Sequence, residues 1–185
     1  MPCGCGKGKN GAAPLAEHSI ELSETKWGPI LWNYLHCIAE KIGQSGNTIV
    51  DTDQANYMET LLSMLPLILP CKECQAHAAT YIAEHPIPTL RGLYNTGLQS
   101  TVREWLFLFH NEVRLSNNQP IIVNTIEECQ ALYMQCSVSK CDYTFFIQSV
   151  AAAIRQGWVR IDNWRKWYSN SERIRILAGN VVRSQ

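Results

Sequence analysis

Two cysteines separated by two residues have the clearest capacity for chemistry in this chain, in the order Pro70-Cys71-Lys72-Glu73-Cys74. Pro70 suits the first turn of a helix, because the N–H that proline lacks has no helical partner there. Cys71 and Cys74 then fall in that turn on one face, at a separation that a disulfide can bridge. The helix N-terminus also stabilises a thiolate. The pattern therefore predicts a redox-active dithiol.

The residues around this motif argue against two common redox sites. A c-type haem site needs His directly after the second cysteine, and Gln75 stands there instead. A thioredoxin-like domain needs a strand before the motif, whereas the apolar residues of 57–69 have helical spacing. His77 and Tyr81 continue the same helical stripe as Cys74. The dithiol therefore requires another electron acceptor, which neighbouring helices must hold.

Length, charge and cysteine content narrow the class of protein. The 185 residues suffice for one domain with an extension. Sixteen basic residues balance sixteen acidic ones, so we expect no nucleic-acid partner. We also expect no membrane span and no secretory signal peptide, because no sufficiently apolar run is present. Eight cysteines without an export signal favour a protein that makes disulfides over one that only carries them.

Helical periodicity and capping signals indicate the elements that must position the dithiol. The predicted helices span 26–42, 51 or 53 to 69 with Asp51 or Asp53 as cap, 70–85, 99–115, 126–135 after the Thr125–Glu128 capping box, and 142–156. No convincing strand precedes residue 120. We therefore predict an all-α protein: a flexible tail (1–22), a four-helix bundle (23–120) and an α-helical C-terminal extension (121–185).

Two further segments carry signals outside the predicted bundle. Cys3 and Cys5 in the glycine-rich tail can form a small strained disulfide, and the tail reaches roughly 25 Å as a random coil. Three interpretations of this pair remain open: it relays electrons, the terminus is crosslinked or palmitoylated through it, or the two thiols have no function. Residues 158–167 interleave tryptophans with basic residues. We expect that stretch to pack as a final helix or to form a partner surface.

Three ordered motifs resemble the Erv/ALR family of FAD-linked sulfhydryl oxidases. The family pattern is WGxxxWxxLH on the first helix, PCxxCxxH on the third and W…HNxVN on the fourth. This chain has the corresponding residues in the same order over about 26–120: Trp27, Gly28, Trp32, Leu35 and His36, then Pro70, Cys71, Cys74 and His77, then Trp105, His110, Asn111 and Val113.

The resemblance implies a four-helix bundle, usually a homodimer, that holds FAD beside the dithiol. Cys71 would exchange with the incoming thiol and Cys74 would be the sulfur next to the flavin, with Cys3 and Cys5 as a shuttle. A protein dithiol or thioredoxin-like carrier would be the substrate, and oxygen would leave as hydrogen peroxide. The implied cofactor-binding residues are Trp27, Gly28, Trp32, His36, His77, Tyr81, Trp105, His110, Asn111, Val113 and Arg114.

The chain departs from the family pattern at the end of the fourth helix. Arg114 replaces the second Asn of HNxVN, and 115–120 replaces the usual Arg-Leu-Gly-Lys-Pro. Arginine can still contact a phosphate bidentately. The family often carries a structural disulfide beyond this helix, for which we expect the pair Cys136–Cys141, with Cys129–Cys141 as the alternative. We expect Cys37 to be a buried free thiol.

Two other functions compete with an oxidase. Cys71, Cys74 and His77 could bind zinc with Cys37 or a tail cysteine as fourth ligand, although we expect no metal. Alternatively, the scaffold could serve a structural or assembly role with reduced catalysis. Members without targeting signals include those of large cytoplasmic DNA viruses, so we expect the host cytoplasm or the virion, and otherwise the mitochondrial intermembrane space.

Overall fold

The structure, a computed structural model, describes residues 24–136 and 143–179. This part of the chain contains eight helices and no strand, which confirms the predicted all-α class. None of these helices is both long and apolar enough to cross a membrane. The helices are α1 (Glu24–Ala39), α2 (Thr48–Ser63), α3 (Leu65–Ile68), α4 (Lys72–Glu84), α5 (Asn95–Ser116), α6 (Ile126–Tyr133), α7 (Thr144–Arg155) and α8 (Ile161–Gly179).

Helix α1 lies at the centre of the packing. It packs against α5 on one side and α7 on another, and it also touches α6 and α8. Leu35, Ile38 and Ile42, in α1 and the turn that follows it, are fully buried. Burial of each side chain stabilises the fold by about 2 kcal/mol, because its apolar surface is removed from water. Helix α1 therefore carries much of the apolar core.

The C-terminal helices share this core. The fully buried Trp167 of α8 donates its indole N–H to the carbonyl of Leu61 in α2, at 3.2 Å. Tyr34 of α1 donates its hydroxyl to the carbonyl of Ser171 at 3.0 Å. Helix α8 packs along α2 and α7 along α1. Residues 161–167 of the basic and aromatic stretch therefore lie in the final helix, whereas Trp158 lies in the loop before it.

The expected cap of α2 is wrong. Asn47 caps this helix, because its side-chain oxygen accepts the N–H of Ile49 at 2.9 Å. Asp51 is buried instead and accepts two hydrogen bonds, from the Ser45 hydroxyl at 2.6 Å and from the Asn95 N–H at 2.9 Å. Asp51 thus joins the loop before α2 to the start of α5. The Asp51 carboxylate therefore makes tertiary hydrogen bonds and does not cap the helix, although its residue type and position predict a cap.

Two other helix boundaries differ from expectation. Helix α2 ends at Ser63 and α3 follows, because Pro66 at the second position of α3 has no N–H to continue the earlier helix. Helix α5 begins at Asn95 and not at residue 99. Its start lies against Gly43, where an added Cβ would stand 2.1 Å from the Asn95 carbonyl oxygen. Only glycine fits this approach at a φ of +68°.

A buried ion pair joins α1 and its following turn to α5. The Arg103 guanidinium donates to both carboxylate oxygens of Glu40, at 2.5 and 2.7 Å. The two side chains are 7% and 2% exposed. The hydrogen bond to Glu40 raises the pKa of Arg103 further above its usual value. Because each charge depends on the other for compensation, loss of one partner leaves a buried unpaired charge.

We expect Arg103→Met to lower the free energy of unfolding by about 3–5 kcal/mol, because Glu40 would remain buried without a counter-charge. Urea unfolding followed by circular dichroism measures this change. The matched control is Arg175→Met, because Arg175 and Glu172 form a half-exposed pair with a similar 2.6 Å contact. That variant should lose less than about 1 kcal/mol. Equal losses in the two variants would contradict the role assigned to the buried pair.

Candidate active site

The dithiol lies at the start of α4 and is closed as a disulfide. Cys71 and Cys74 are bonded, with their Cα atoms 5.2 Å apart. Helix α4 begins at Lys72, so Pro70 is not its first residue and Cys71 is its N-cap. The Cys71 sulfur accepts the backbone N–H of Cys74 at 3.2 Å. Both cysteines are half-buried, so an incoming thiol can reach a disulfide whose sulfur already faces a helix N-terminus.

Residues of the C-terminal part contact this first turn. The Gln75 side-chain amide donates to the carbonyl of Leu69 at 2.7 Å and to that of Trp158 at 3.1 Å. The Lys72 ammonium stands 5.8 Å from the centre of the Trp158 ring. The loop between α7 and α8 is therefore attached to the turn that carries the two cysteines.

A cluster of stacked rings lies between α1, α5 and α6. Trp32 stacks on His110, with ring centres 4.3 Å apart and planes 5° apart. His36 Nε2 lies 3.2 Å from His110 Nδ1. On its other side, His36 stacks on Tyr133 at 4.5 Å and contacts the Cys129 sulfur through Nδ1 at 3.7 Å. Trp32 and His36, predicted from the first motif, thus meet His110, predicted from the third.

A cavity of about 110 Å³ opens beside these rings. Ile122 and Val123, from the segment between α5 and α6, form part of its wall, and two side chains of α5 hold that segment. Asn111 donates to the carbonyl of Val123 at 3.3 Å, and Arg114 donates through Nε to the carbonyl of Pro120 at 2.7 Å. The lining residues are His36, Phe107, His110, Asn111, Arg114, Ile122, Val123, Cys129, Leu132 and Tyr133.

A second ring group connects α4 to this cluster. Tyr81 stacks on Phe109 at 4.4 Å, and Phe109 meets Trp32 edge-on at 5.2 Å. Trp105 packs edge-on against Tyr81 and donates its indole N–H to the carbonyl of His85 at 3.2 Å. The contacts Tyr81–Phe109–Trp32 therefore link the dithiol helix to the cavity wall.

The other predicted site residues have separate positions. Trp27 packs against Phe146 of α7 in the core, at 6.0 Å between ring centres. Gly28 is buried, and an added Cβ there would meet nothing within 4 Å. Val113 is half-buried against the core. His77 Nδ1 lies 3.5 Å from the Ser116 hydroxyl at the end of α5.

Several cysteine predictions fall where the structure gives no description. Cys3, Cys5 and Cys141 lie outside the described residues, and with them the shuttle pair and the expected disulfide of Cys141 with Cys136 or Cys129. Cys37 is buried, as expected. Cys136 is half-buried at the end of the segment that follows α6.

Burial keeps the two imidazoles and the Cys129 thiol of the cavity uncharged. Burial, together with the nearby His110, lowers the pKa of His36 to about 3. Burial likewise lowers the pKa of His110 to about 4, assisted by the positive charge of Arg114. The pKa of the Cys129 thiol rises to about 11 through burial and the nearby Glu40 carboxylate. At neutral pH the cavity therefore presents two neutral imidazoles and a protonated thiol.

The donor set of the cavity fits a flat aromatic group with an anionic portion. His110 and Tyr133 line it with aromatic rings, and Arg114 keeps guanidinium N–H groups beyond the one bonded to Pro120. The volume of about 110 Å³ is below the roughly 300 Å³ typical of small-molecule pockets. Most of a larger cofactor would therefore lie outside the cavity, along its opening. Across 24–136 and 143–179, no group of three or more His, Cys, Asp or Glu is placed to hold a metal ion.

Sequence reasoning missed four residues near the two candidate centres. Cys129 and Tyr133 lie on one face of α6, and their four-residue spacing after the capping box was a usable signal of that face. Gln75 entered only as the residue that excludes haem. Trp158 lies 84 residues after Cys74, and no local pattern indicates that these two positions are neighbours.

The two buried imidazoles make stability depend on pH. In the unfolded chain the histidines have a pKa near 6.5, whereas in the folded protein their pKa values are lower. Below pH 6.5 the unfolded state therefore binds more protons than the folded state, and the free energy of unfolding falls as the pH drops toward 4. Between pH 6.5 and pH 5 we expect each of the two histidines to lower the free energy of unfolding by about 2 kcal/mol. Urea unfolding at pH 7 and pH 5 measures the loss. His110→Gln should reduce the difference between the two pH values, and an unchanged difference would contradict the assignment.

Thiol reactivity should separate the cysteines. After reduction, at pH 8, we expect iodoacetamide to modify Cys71 and Cys74 about 100-fold faster than Cys129, because only a small fraction of the Cys129 thiol is ionised. Quenching at successive times and mass spectrometry of the peptides gives the three rates. Comparable rates for Cys129 and Cys71 would show that Cys129 is not buried as described.

Comparison with known proteins gives the same family as the motifs. The chain matches the Erv1 / Alr family over residues 29–135, a range that includes the dithiol and both ring groups. It is 29% identical over 94 residues to "Putative FAD-linked sulfhydryl oxidase 096R" of Invertebrate iridescent virus 3, covering 51% of this chain and 57% of that protein. It is 24% identical over 131 residues to "FAD-linked sulfhydryl oxidase ERV1" of Oryza sativa subsp. japonica, covering 71% and 58%.

These matches cover part of each chain. The chain spans a little over half the length of each of these relatives. No solved structure matches it. The family match, however, covers more than half of the chain and includes α4 and α5 in full. This protein belongs to the Erv1 / Alr family.

Proposed function

We propose that the protein is a FAD-linked thiol oxidase, which forms disulfides in protein dithiols and passes the electrons by way of Cys71–Cys74 and bound FAD to oxygen, with hydrogen peroxide as product. The observation that carries this proposal is the half-buried disulfide at the start of α4, whose Cys71 sulfur accepts the Cys74 N–H. The names of the two relatives support the same activity.

The dithiol performs thiol–disulfide exchange. A substrate thiolate attacks the Cys71 sulfur, forms a mixed disulfide and releases Cys74 as a thiolate at the helix N-terminus. The second substrate thiol then attacks the substrate sulfur of the mixed disulfide and releases Cys71. The Cys74 N–H stabilises this departing thiolate, because the hydrogen bond strengthens when the sulfur becomes negative.

The cavity and its neighbouring rings are the proposed flavin site. When bound there, FAD supplies a two-electron acceptor. His110, which stacks on Trp32, and Tyr133 would contact a ring system from the cavity wall, and the outer N–H groups of Arg114 would face phosphate oxygens. His36 would remain neutral beside the ring, since burial lowers its pKa to about 3. The Tyr81–Phe109–Trp32 contacts would exclude water between this site and the dithiol helix.

Further parts of the proposal rest on the resemblance to the family. They are a homodimeric assembly, an electron shuttle at Cys3 and Cys5, a structural disulfide at Cys136, and a thioredoxin-like carrier or other protein dithiol as substrate. We also propose location in a host cytoplasm or virion if the protein is viral, and otherwise in the mitochondrial intermembrane space. The relative from an iridescent virus favours the first of these locations.

A second candidate function is a structural or assembly role on the same scaffold. The observation that favours it is the small volume of the cavity, about 110 Å³, part of whose wall is a segment bonded to Asn111 and Arg114. The intact disulfide at α4 opposes it, since a purely structural scaffold has no need of an accessible dithiol.

The visible spectrum of the purified protein distinguishes the two functions. An anaerobic dithiol should bleach a flavin band, and air should restore the band with release of peroxide. Cys74→Ser should retain FAD and abolish this cycle, whereas the control Cys136→Ser should preserve it. A flavin that dithiols cannot reduce would favour the scaffold function, and a colourless protein would overturn the assignment of FAD.

A further inference from the structure

The proposed chemistry leaves the C-terminal helices without a functional role, although their connecting loop touches the dithiol. Gln75, directly after Cys74, donates to the Trp158 carbonyl at 3.1 Å. Lys72, between the two cysteines, places its ammonium 5.8 Å from the centre of the Trp158 ring. The loop between α7 and α8 therefore forms part of the surroundings of the Cys71–Cys74 disulfide.

The position of Trp158 is determined by the loop backbone. Gly157 turns the chain at a φ of +71°. The N–H of Trp158 then donates to the carbonyl of Ala153 at 2.9 Å, and the next residue, Val159, is buried at 3% exposure. Trp158 itself is half-buried. The loop backbone therefore holds the indole in place, and part of its surface remains exposed to a partner.

Exposed basic side chains accompany this indole. Arg155 is the last residue of α7 and Arg160 lies on the loop two residues after Trp158; both are exposed, as is Lys72 beside the ring. The exposed carboxylates along these two segments are Glu73, within the dithiol motif, and Asp162, in the first turn of α8 and 3.8 Å from Arg165. We define the Trp158 surface as Lys72, Arg155, Trp158 and Arg160. It combines three exposed basic side chains with a half-buried aromatic ring, next to a reactive disulfide.

We propose that the Trp158 surface docks the substrate polypeptide, and that it selects segments with acidic residues beside their cysteines. This inference rests on the proposed oxidase function and names the substrate class for that site. A tryptophan held on one side gives a flat contact at little entropic cost. Positive charges beside it raise the rate at which an acidic segment arrives and orient it toward Cys71.

The exchange that follows docking is balanced. A peptide dithiol reduces the Cys71–Cys74 disulfide, so two peptide S–H bonds are lost and one peptide S–S bond forms. The two electrons and two protons end on the thiols of Cys71 and Cys74. No further oxidant is needed for this half of the reaction, so it can be followed without oxygen.

Two peptide dithiols test the proposal, identical except that four residues flanking the cysteines are Glu in one and Lys in the other. The purified protein is mixed anaerobically with each peptide, quenched with iodoacetamide, and the reduction of Cys71–Cys74 is followed by mass spectrometry. We expect the acidic peptide to react about tenfold faster at low salt. This ratio should shrink as salt screens the charges.

Variants assign the preference to this surface. Each peptide rate is divided by the same variant's rate with dithiothreitol, which corrects for changed disulfide reactivity. Arg160→Glu should reduce or reverse the preference for the acidic peptide, and Trp158→Ala should slow both peptides. The matched control is Arg91→Glu, since this exposed residue follows the opposite end of α4 and should leave the preference unchanged.

The outcomes separate failure of docking from failure of the oxidase. Equal rates for the two peptides, or an unchanged preference in Arg160→Glu, would overturn the docking surface while reduction by dithiothreitol leaves the oxidase standing. If neither peptide nor dithiothreitol reduces the disulfide, the proposed function and the docking surface both fail.

Discussion

The buried pair of Glu40 and Arg103 determines how α1 lies against α5. A bidentate ion pair tolerates little sliding, because a displacement of one turn would leave two charges buried and unpaired. His36 lies one turn before Glu40, and His110 lies two turns after Arg103 on the antiparallel neighbour. The register that satisfies the ion pair is therefore also the register that brings the two imidazoles together beside Trp32. A polar constraint in the core thus sets the geometry of the proposed flavin site.

Much of the fold was predictable because the sequence repeats its signals at helical intervals. The all-α class followed from apolar spacing, and Thr125 caps α6 as expected by accepting the Glu128 N–H. The Glu128 carboxylate accepts the N–H of Asn124 and not that of Thr125, so the reciprocal bond of the capping box is shifted by one residue. The proximity of Trp32, His36 and His110 was predictable only because three motifs matched a family in order. The spacing of residues within one helix does not predict which residues of α1 lie beside which residues of α5.

The remaining features depend on tertiary partners, for which a single sequence carries no signal. Asp51 has the residue type and position of a cap, yet its two hydrogen bonds go to Ser45 and Asn95. Trp158 was one of several tryptophans in a basic stretch, and nothing local distinguished it from Trp167, which is fully buried. Helix periodicity predicts that a residue faces inward or outward, but not which distant segment it meets.

The packing of α8 on α2 has a consequence for how the chain acquires its structure during synthesis. Tyr34 and Ser171 are bonded across 137 residues, and Trp167 covers the Leu61 carbonyl of a helix made more than 100 residues earlier. The face of α2 that packs on α8 therefore stays uncovered until α8 has left the ribosome. Such long-range closure slows folding and leaves an exposed apolar face in the meantime. A nascent chain paused before α8 is thus the form most in need of a chaperone.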